Sequence, residues 1–434
     1  MKQAALADQD APAILEDVLL RNFPGWRVAH WCVVVFAVSF LVMALLPEAR
    51  LTDFEVPNAA EPVRVARSLA ADGTFANPFA SLPTGSTAHV APVYPFLYSL
   101  VLRGLGTGHA ALQVMWALNL GLLALQMALL PLLSHRLKFG VLPGIIAAGS
   151  GTFSLHAPVD TRWECFLAGA LLLLAFLGSE RSLAHGKVYW SCAIGVLWGI
   201  LILTQPVMVP LLAAWLLCSF AFAASGGRPK IASRSALIVA VALVTVSPWI
   251  VRNYVRFGTF IFVRDCLGLD LYTSNYPCVA PTLQETMRSG CHARTNPNTS
   301  RDVSAQLLAA GEPQYNSTRL HAALAWIDHN RGRFLALTFR RFRLFWFPDL
   351  ERQWEAVLVW GVTVLSFVGI RLMGKKSRVA SALIITAWLV FPLIYYVSTY
   401  DPRYRYPIYW TSLLPAGYAA GEVGRRFAFR RVRR

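Results

Sequence analysis

Apolar runs of about 20 residues recur along most of this chain, and a run of that length spans the hydrocarbon core of a bilayer. Clear examples are residues 110–133 and 379–397. Of the 434 residues, 56% are hydrophobic and 15% are charged, whereas charged residues make up about a quarter of an ordinary soluble domain. The sequence therefore predicts an all-α polytopic membrane protein with about ten transmembrane helices.

The distribution of basic residues predicts the orientation. The net charge is +17, from 40 Lys and Arg against 23 Asp and Glu, and the cations cluster in short loops and at the C-terminal end. Short loops rich in Lys and Arg are typical of the cytoplasmic side. We therefore expect a multi-pass protein of a bacterial inner (plasma) membrane with both termini in the cytoplasm. Membrane lipids, rather than nucleic acid, are the expected partner of the basic tail.

The hydropathy pattern divides the chain into five parts. These are a cytoplasmic interfacial helix at 1–30, an N-terminal transmembrane module at 31–251 that includes an outer loop at 48–93, a long outer-side loop at 252–354, C-terminal transmembrane helices at 355–424 and a basic cytoplasmic tail at 425–434. Juxtamembrane helices are expected in the first outer loop, and helical periodicity is present at 320–346.

Three cysteines, Cys266, Cys278 and Cys291, fall in the long loop. An oxidising compartment on the outer side permits disulfides, and Cys278–Cys291 is the preferred pairing. The third cysteine is then left free, and the spacing matches no metal-binding pattern.

The first outer loop is unusually acidic for its position beside a membrane. Asp53, Glu55, Glu61 and Asp72 lie within it. Carboxylates at such a boundary are costly unless water, a partner or a substrate meets them. These acids are therefore candidates for a functional site.

Four separated segments together resemble the GT-C superfamily, which comprises membrane glycosyltransferases that use polyprenyl-phosphate sugars. They are EPVRVARSLAADGTFANPF followed by HVAPVYPFLYSL, then Trp163–Glu164 at the start of a span, SPWIVRNYVRFGTFIFV followed by LGLDLYTSN, and YYVSTYDPRYRYPIY before the last span. The order of the segments agrees with the predicted topology. The likeness is to the branch that includes protein O-mannosyltransferases and lipid A aminoarabinose transferases.

The resemblance implies an inverting sugar transfer on the outer side of the membrane. The donor is a polyprenyl-phosphate-linked sugar, and the acceptor is a glycan, a lipid or a protein. A loop carboxylate deprotonates the acceptor hydroxyl, and partial desolvation raises the pKa of such a carboxylate and makes it a better base. Arginines bind the phosphate that leaves.

The identity of the base depends on how the family pattern is aligned. The family often carries Asp about eight residues before an Ala of the loop helix, and that position is Asn58 here, counted from Ala66. Glu61 is therefore the first candidate, Asp53 the second and Glu55 the third. The structural alternative is that Glu61 only stabilises the first turn of its helix or pairs with a nearby arginine, Arg64.

Several further residues are candidates for substrate binding. His89 precedes APVYP, where relatives carry a Lys-Pro-Pro-type sequence with the lysine at the place of Val90. His89 either donates to phosphate or simply lies at the interface. Tyr94 follows in the same segment. Asp160 and Glu164 flank Trp163 at a predicted span end, where they bind sugar hydroxyls or pair with a neighbouring arginine.

Arginines at predicted outer span ends are candidates for phosphate binding. Arg252 and Asn253 end one span, and Arg403 and Arg405 alternate with tyrosines before the last span. The planar arginine side chain suits phosphate better than lysine does. The tyrosines are equally typical of a membrane-interface belt.

No residues have metal-ligand spacing, although outer acids could hold a divalent ion weakly. Two other functions stay open at this point. A lipid-linked glycan ligase or polymerase also uses a polyprenyl carrier. A lipid or solute transporter places its charges at mid-membrane in repeated halves, whereas the charges here gather at span ends.

Overall fold

The computed structural model describes residues 27–45, 60–154, 163–185, 187–349 and 353–432. Within them the regular structure is helical, and only two isolated β-bridges occur, Ala76 with Ser86 and Thr282 with Tyr400. The helices are α1 (Val28–Leu45), α2 (Glu61–Asp72), α3 (Val93–Leu105), α4 (His109–Arg136), α5 (Leu142–Ser154), α6 (Cys165–His185), α7 (Val188–Thr204), α8 (Met208–Ala221), α9 (Arg228–Phe257), α10 (Leu267–Ser274), α11 (Leu283–Arg288), α12 (Cys291–Thr295), α13 (Arg301–Ala310), α14 (Glu312–His329), α15 (Arg331–Trp346), α16 (Gln353–Gly374), α17 (Arg378–Val390), α18 (Leu393–Val397) and α19 (Tyr409–Val432). The predicted all-α class is confirmed.

Five helical stretches in the described part of the chain are long and apolar enough to cross a membrane: α1, α4, α9, α16 and the α17–α18 pair. Shorter apolar helices, α3, α6, α7 and α8, accompany them. On α9 the side chains of Val244 and Val251 are 70% and 60% exposed. Apolar side chains exposed along a long helix are the surface that lipid tails cover. The protein is therefore a multi-pass membrane protein, as predicted.

Small residues allow close contact between the membrane helices α7 and α9. A side-chain carbon at Gly195 would lie 2.7 Å from Val241 Cβ, and one at Gly199 would lie 2.5 Å from Thr245 Cβ. Glycines four residues apart occupy one helix face and let two backbones approach. The sequence GVLWG thus determines how tightly this pair packs.

The polar segments gather into one assembly, which we call the loop face and define as residues 60–92, 258–349 and 398–408. Backbone hydrogen bonds join its parts: Asp265 N–H donates to Ala88 O at 2.8 Å, and Tyr400 N–H donates to Pro281 O at 2.9 Å. The predicted disulfide Cys278–Cys291 is present and is confirmed.

The segment expected to be a long polar loop is built mainly of helices, α10 to α15. The helical periodicity at 320–346 corresponds to α14 and α15, which are separate because the chain changes direction at Asn330 (φ −126°, ψ 37°). The preceding span, α9, continues to Phe257, where Gly258 ends it with φ 68°. That left-handed conformation is one that glycine adopts readily.

Some predictions concern residues outside the described ranges. These are the interfacial helix near the N-terminus and three acids, Asp53, Glu55 and Asp160. Their proposed roles stay predictions.

Candidate active site

The site begins with Glu61, the first residue of α2. Pro62 follows it and suits the first helical turn because its φ is already fixed, and an acid in that turn is favoured by the helix dipole. The opposite side of α2 is apolar, and Val65 and Ala66 are fully buried there. The amphipathic sequence therefore orients Glu61 away from the core, where it is partly exposed.

Glu61 lies within electrostatic range of three charged residues from distant parts of the chain. They are Arg403, Asp270 and Arg264. Desolvation raises the pKa of the Glu61 carboxyl above its ordinary value, Arg403 and Arg264 oppose that rise, and Asp270 adds to it. The result is a partly exposed acid that holds its proton more tightly than a solvated glutamate does.

Arg264 connects the acids of the site. Burial lowers the pKa of its guanidinium, but the surrounding Cys266, Asp270 and Glu164 outweigh burial, so the net pKa is raised. Its Nε donates to the His89 carbonyl at 2.8 Å. Arg264 is thus a fixed cation between carboxylates that come from α10 and from the start of α6.

Arg403 is the residue that the C-terminal part of the chain contributes to the site. Its guanidinium lies 3.7 Å from the centre of the Trp163 ring, a cation–π contact, and its Nε lies 3.8 Å from Asp401 Oδ1. The side chain of Arg403 is 14% exposed. A cation held between a ring and an acid is preorganised for an anionic ligand.

Glu164 directly precedes α6, and its carbonyl accepts a hydrogen bond from Ala168 N–H at 2.9 Å. The side chain is partly exposed and interacts electrostatically with Arg264. The structure therefore brings Glu164 and Glu61 within electrostatic range of the same cation, although the two acids are 103 positions apart along the chain (164 minus 61).

His89 is 6% exposed, and its ring Nδ1 has no hydrogen-bond partner among the described residues. Desolvation lowers the pKa of His89 to about 4, Asp270 opposes this shift and Arg264 adds to it. The imidazole is therefore neutral at pH 7. It can exchange a hydrogen bond with a ligand, but it does not supply a cation for phosphate.

Arg252 hydrogen-bonds to the loop that carries His89. Its guanidinium donates to the Thr87 carbonyl at 2.8 Å and to the Phe75 carbonyl at 3.2 Å. It also lies 4.8 Å from the centre of the Trp249 ring. These partners make Arg252 a support of the site in the structure, and its predicted role in substrate binding stays a prediction.

Asn253 is fully buried and donates to the carbonyls of Ile261 and Val263, at 3.3 and 3.4 Å. It thereby fixes the turn after α9 that leads to Arg264. Tyr94 is also buried, and its hydroxyl accepts a hydrogen bond from Asn119 Nδ2 at 2.9 Å.

Arg405 has a different environment from Arg403, although only Tyr404 separates them. It is 4% exposed, and it donates to the Trp346 carbonyl at 3.0 Å, to Thr363 Oγ1 at 2.9 Å and to Ser412 Oγ at 3.2 Å. Its guanidinium therefore joins the backbone at the end of α15 to α16 and α19.

Two residues of the site were missed by sequence reasoning. Asp270 belongs to LGLDLYTSN, which carried part of the family resemblance, yet no role was attached to it. Arg264 directly follows SPWIVRNYVRFGTFIFV. A signal was present in both cases, because each charge immediately follows or interrupts an apolar segment within about twenty residues of the predicted span end at 251.

The described residues contain no group of three or more His, Cys, Asp or Glu side chains arranged to hold a metal ion.

No protein-family model matches this chain, and no curated protein matches it either. Among solved structures, the crystal structure of ArnT from Cupriavidus metallidurans bound to undecaprenyl phosphate is similar, with 16% sequence identity and a TM-score of 0.42. The alignment covers 91% of this chain and 79% of that one.

Proposed function

We propose that this protein is an inverting glycosyltransferase that moves a sugar from a polyprenyl-phosphate donor to an acceptor hydroxyl at the loop face. The observation that carries the proposal is that Glu61 lies within electrostatic range of Arg264 and Arg403 beside the membrane helices. This arrangement supplies a base and two cations, as transfer from an anionic leaving group requires. The family resemblance of the four sequence segments adds to it.

Glu61 is the proposed general base. In the reaction its carboxylate takes the proton of the acceptor hydroxyl, and the acceptor oxygen forms a bond to the anomeric carbon. The bond from that carbon to the phosphate oxygen breaks, and its electron pair leaves with the polyprenyl phosphate. A raised pKa makes Glu61 a stronger base than a solvated glutamate. Asp53 and Glu55 are the second and third candidates for the same role.

Arg264 and Arg403 are the proposed binding groups for the leaving phosphate. Negative charge accumulates on that phosphate as the sugar departs, so fixed guanidinium donors stabilise the transition state more than the ground state. Both arginines are already held in place, Arg264 by the His89 carbonyl and Arg403 by Trp163. Little side-chain entropy is then lost on binding.

Asp270 and Glu164 are the proposed partners of sugar hydroxyls. Carboxylates accept hydrogen bonds from hydroxyl groups, and both acids share Arg264 with the base. Asp160 is proposed for the same role on its sequence position. Neutral His89 is the remaining polar side chain of the proposed site, and its Nδ1 can form one further hydrogen bond.

The disulfide supports the predicted orientation of the loop face. Cys278 and Cys291 are joined within it, and stable disulfides are typical of compartments outside the cytoplasm. We therefore propose that the sugar is transferred on the non-cytoplasmic side. The acceptor is a glycan, a lipid or a protein.

The first experiment identifies the product. Mass spectrometry of lipids and glycans from membranes with and without the protein is expected to find one added sugar residue. Membranes carrying Glu61→Gln, alone and with Asp53→Asn, are then assayed with a labelled polyprenyl-monophosphate sugar. We expect Glu61→Gln to lower transfer by about 10²–10⁴-fold.

Asp328→Asn is the matched control, because Asp328 is exposed and pairs only with Arg331 among the described residues. Full turnover by the Glu61→Gln, Asp53→Asn double variant contradicts the mechanism. Transfer from a polyprenyl-diphosphate oligosaccharide instead identifies a ligase or polymerase. Counterflow of labelled substrate in proteoliposomes without covalent transfer identifies a transporter.

A further inference from the structure

The N-terminal part of α14 contacts the two segments of the loop face that carry His89 and Arg264. Glu312 begins this helix, and Asn316 lies four residues later on the same face, since four residues make about one helical turn. Both side chains are almost completely buried, at 6% and 3% exposed. Neither of them is among the proposed base, phosphate donors or sugar-binding acids of the site. A glutamate is rarely buried so completely unless its carboxyl group has partners.

Glu312 holds the segment that leads into His89. Its Oε2 accepts a hydrogen bond from the Thr87 hydroxyl at 2.5 Å, and its Oε1 accepts one from Ala88 N–H at 2.6 Å. The Thr87 hydroxyl oxygen in turn accepts a hydrogen bond from His89 N–H at 2.9 Å. The carboxyl group therefore fixes the backbone just before the His89 carbonyl, which is the acceptor for Arg264 Nε.

Asn316 holds the second segment, which follows Arg264. Its Nδ2 donates to the Asp265 carbonyl at 2.8 Å, and its Oδ1 accepts a hydrogen bond from Leu269 N–H at 3.1 Å. The two helices α10 and α14 are in close contact here, because a side chain at Gly268 would overlap the Asn316 carbonyl oxygen. Asn316 thus fixes both the peptide after Arg264 and the first turn of α10.

The two segments are also joined to each other. Asp265 N–H donates to the Ala88 carbonyl at 2.8 Å, and Arg264 Nε donates to the His89 carbonyl at 2.8 Å. Arg264 is therefore held both through its side chain and through the peptide that follows it, and both connections lead to α14. Because a buried peptide group without a partner is costly, loss of either α14 side chain should let these segments move.

We infer that Glu312 and Asn316 are positioning residues for sugar transfer, which hold Arg264 in place for the phosphate of the donor. The inference rests on the proposed function, in which Arg264 binds the leaving phosphate. The two residues do not contact the substrate in this role and act through the segments 87–89 and 265–269. Donors stabilise developing charge best when they are fixed in advance, and a displacement of about 1 Å can lower a rate by about 10²-fold.

The first test measures sugar transfer by the Glu312→Ala and Asn316→Ala variants of the full-length protein. The donor is a labelled polyprenyl-monophosphate sugar that the wild-type chain accepts. Each variant is expected to lower kcat by about 10–100-fold. KM is expected to change less, because Arg264 acts on charge that develops only as the sugar departs.

The matched controls lie at the other end of the same helix. Asp328→Ala removes an exposed acid that pairs with Arg331, and Asn330→Ala removes a side-chain hydrogen bond to the Trp326 carbonyl at 2.8 Å. Both controls are expected to transfer sugar as the wild-type chain does. Glu312→Gln is the conservative variant, and it should keep most of the activity because it retains an acceptor oxygen for Ala88 N–H.

A double-mutant cycle with Arg264→Gln distinguishes positioning from a general loss of stability. If Glu312 acts through Arg264, adding Glu312→Ala to Arg264→Gln should slow transfer by no more than about twofold. Hydrogen exchange gives a second measurement, made without donor or acceptor. The Ala88 and Asp265 amides are expected to exchange faster in Glu312→Ala than in the wild-type chain, and at the wild-type rate in Asp328→Ala.

Three results overturn the inference and leave the proposed function intact. One is a wild-type kcat in both Glu312→Ala and Asn316→Ala. Another is an additive loss in the double-mutant cycle, because Glu312 would then act on something other than Arg264. The third is unchanged hydrogen exchange at Ala88 and Asp265. A wild-type chain that transfers no sugar contradicts the proposed function itself. If Glu312→Ala does not fold, the Asn316→Ala variant is carried through the same cycle and exchange measurement.

Discussion

Two charged clusters on the loop face contain the same kinds of residue in different surroundings. In one, Glu61 lies within electrostatic range of Arg264 and Arg403, and the residue is partly exposed. In the other, Glu312 is 6% exposed and accepts hydrogen bonds from Thr87 Oγ1 at 2.5 Å and Ala88 N–H at 2.6 Å. The first cluster keeps a partly exposed acid near two cations, and the second holds a loop in place.

The difference shows that an acid beside a membrane is not by itself a sign of catalysis. Desolvation raises the pKa of Glu61 and raises that of Glu312 to about 8. What separates them is the hydrogen bonding: Thr87 and the Ala88 backbone satisfy both carboxylate oxygens of Glu312, whereas the charged neighbours of Glu61 include two arginines that could also bind a phosphate. The predictions below test this distinction.

Among the partners of these two acids, the largest effect is expected at Arg403. Arg403→Gln removes a cation from the proposed phosphate site, so sugar transfer should fall by about 10²–10³-fold while the unfolding midpoint changes little. Arg403→Lys should restore part of the activity, because it keeps the charge but loses the planar donor geometry. Steady-state transfer by both variants checks this, and a fully active Arg403→Gln would remove Arg403 from the mechanism.

Arg405 should behave in the opposite way. Arg405→Gln leaves the buried Trp346 carbonyl and Thr363 hydroxyl without their donor, which should cost about 3 kcal/mol of stability. The expected result is a lower unfolding midpoint in detergent. An Arg405→Gln protein with a normal midpoint but no sugar transfer would instead make Arg405 a ligand of the substrate.

The protonation of Glu312 should make the stability of the folded protein depend on pH. Its pKa is about 8 in the folded protein against an ordinary 4.5, so the folded state binds the proton more tightly. The stabilisation is present below pH 4.5 and is lost as the pH rises to about 8. Glu312→Gln imitates the protonated acid and should raise the unfolding midpoint at pH 8.5 more than at pH 5. Equal shifts at both pH values contradict the assignment.

The smallest predicted effect is the pH dependence of sugar transfer itself. The proposed base acts only when ionised, so kcat/KM should fall about tenfold per pH unit below the Glu61 pKa. Because that pKa is raised, the acidic limb should be centred above the ordinary glutamate value of 4.5. A limb at or below 4.5 would point to a solvated acid, such as Asp53 or Glu55, as the base. Initial rates across pH check this prediction.

Local features of the sequence predicted much of the fold. Apolar runs gave the membrane helices, and the pairing Cys278–Cys291 was anticipated correctly. The division of 320–346 into α14 and α15 was not foreseen, because the apolar periodicity continues through Asn330. Nor could the partners of Arg252 be inferred, since Phe75 and Thr87 lie far from it in sequence.

For this protein, the sequence by itself determined the membrane class, the helical nature of the chain and the region that holds the acids. These follow from hydrophobicity and periodicity, which depend on near neighbours. Only the tertiary structure decided that Arg264 and Asp270 join Glu61, and that Arg403 faces the site while Arg405 is buried. Electrostatic partners depend on distance in space and not on distance along the chain. Two residues only two positions apart, such as Arg403 and Arg405, can lie in different environments when a short helical turn places one of them in the core.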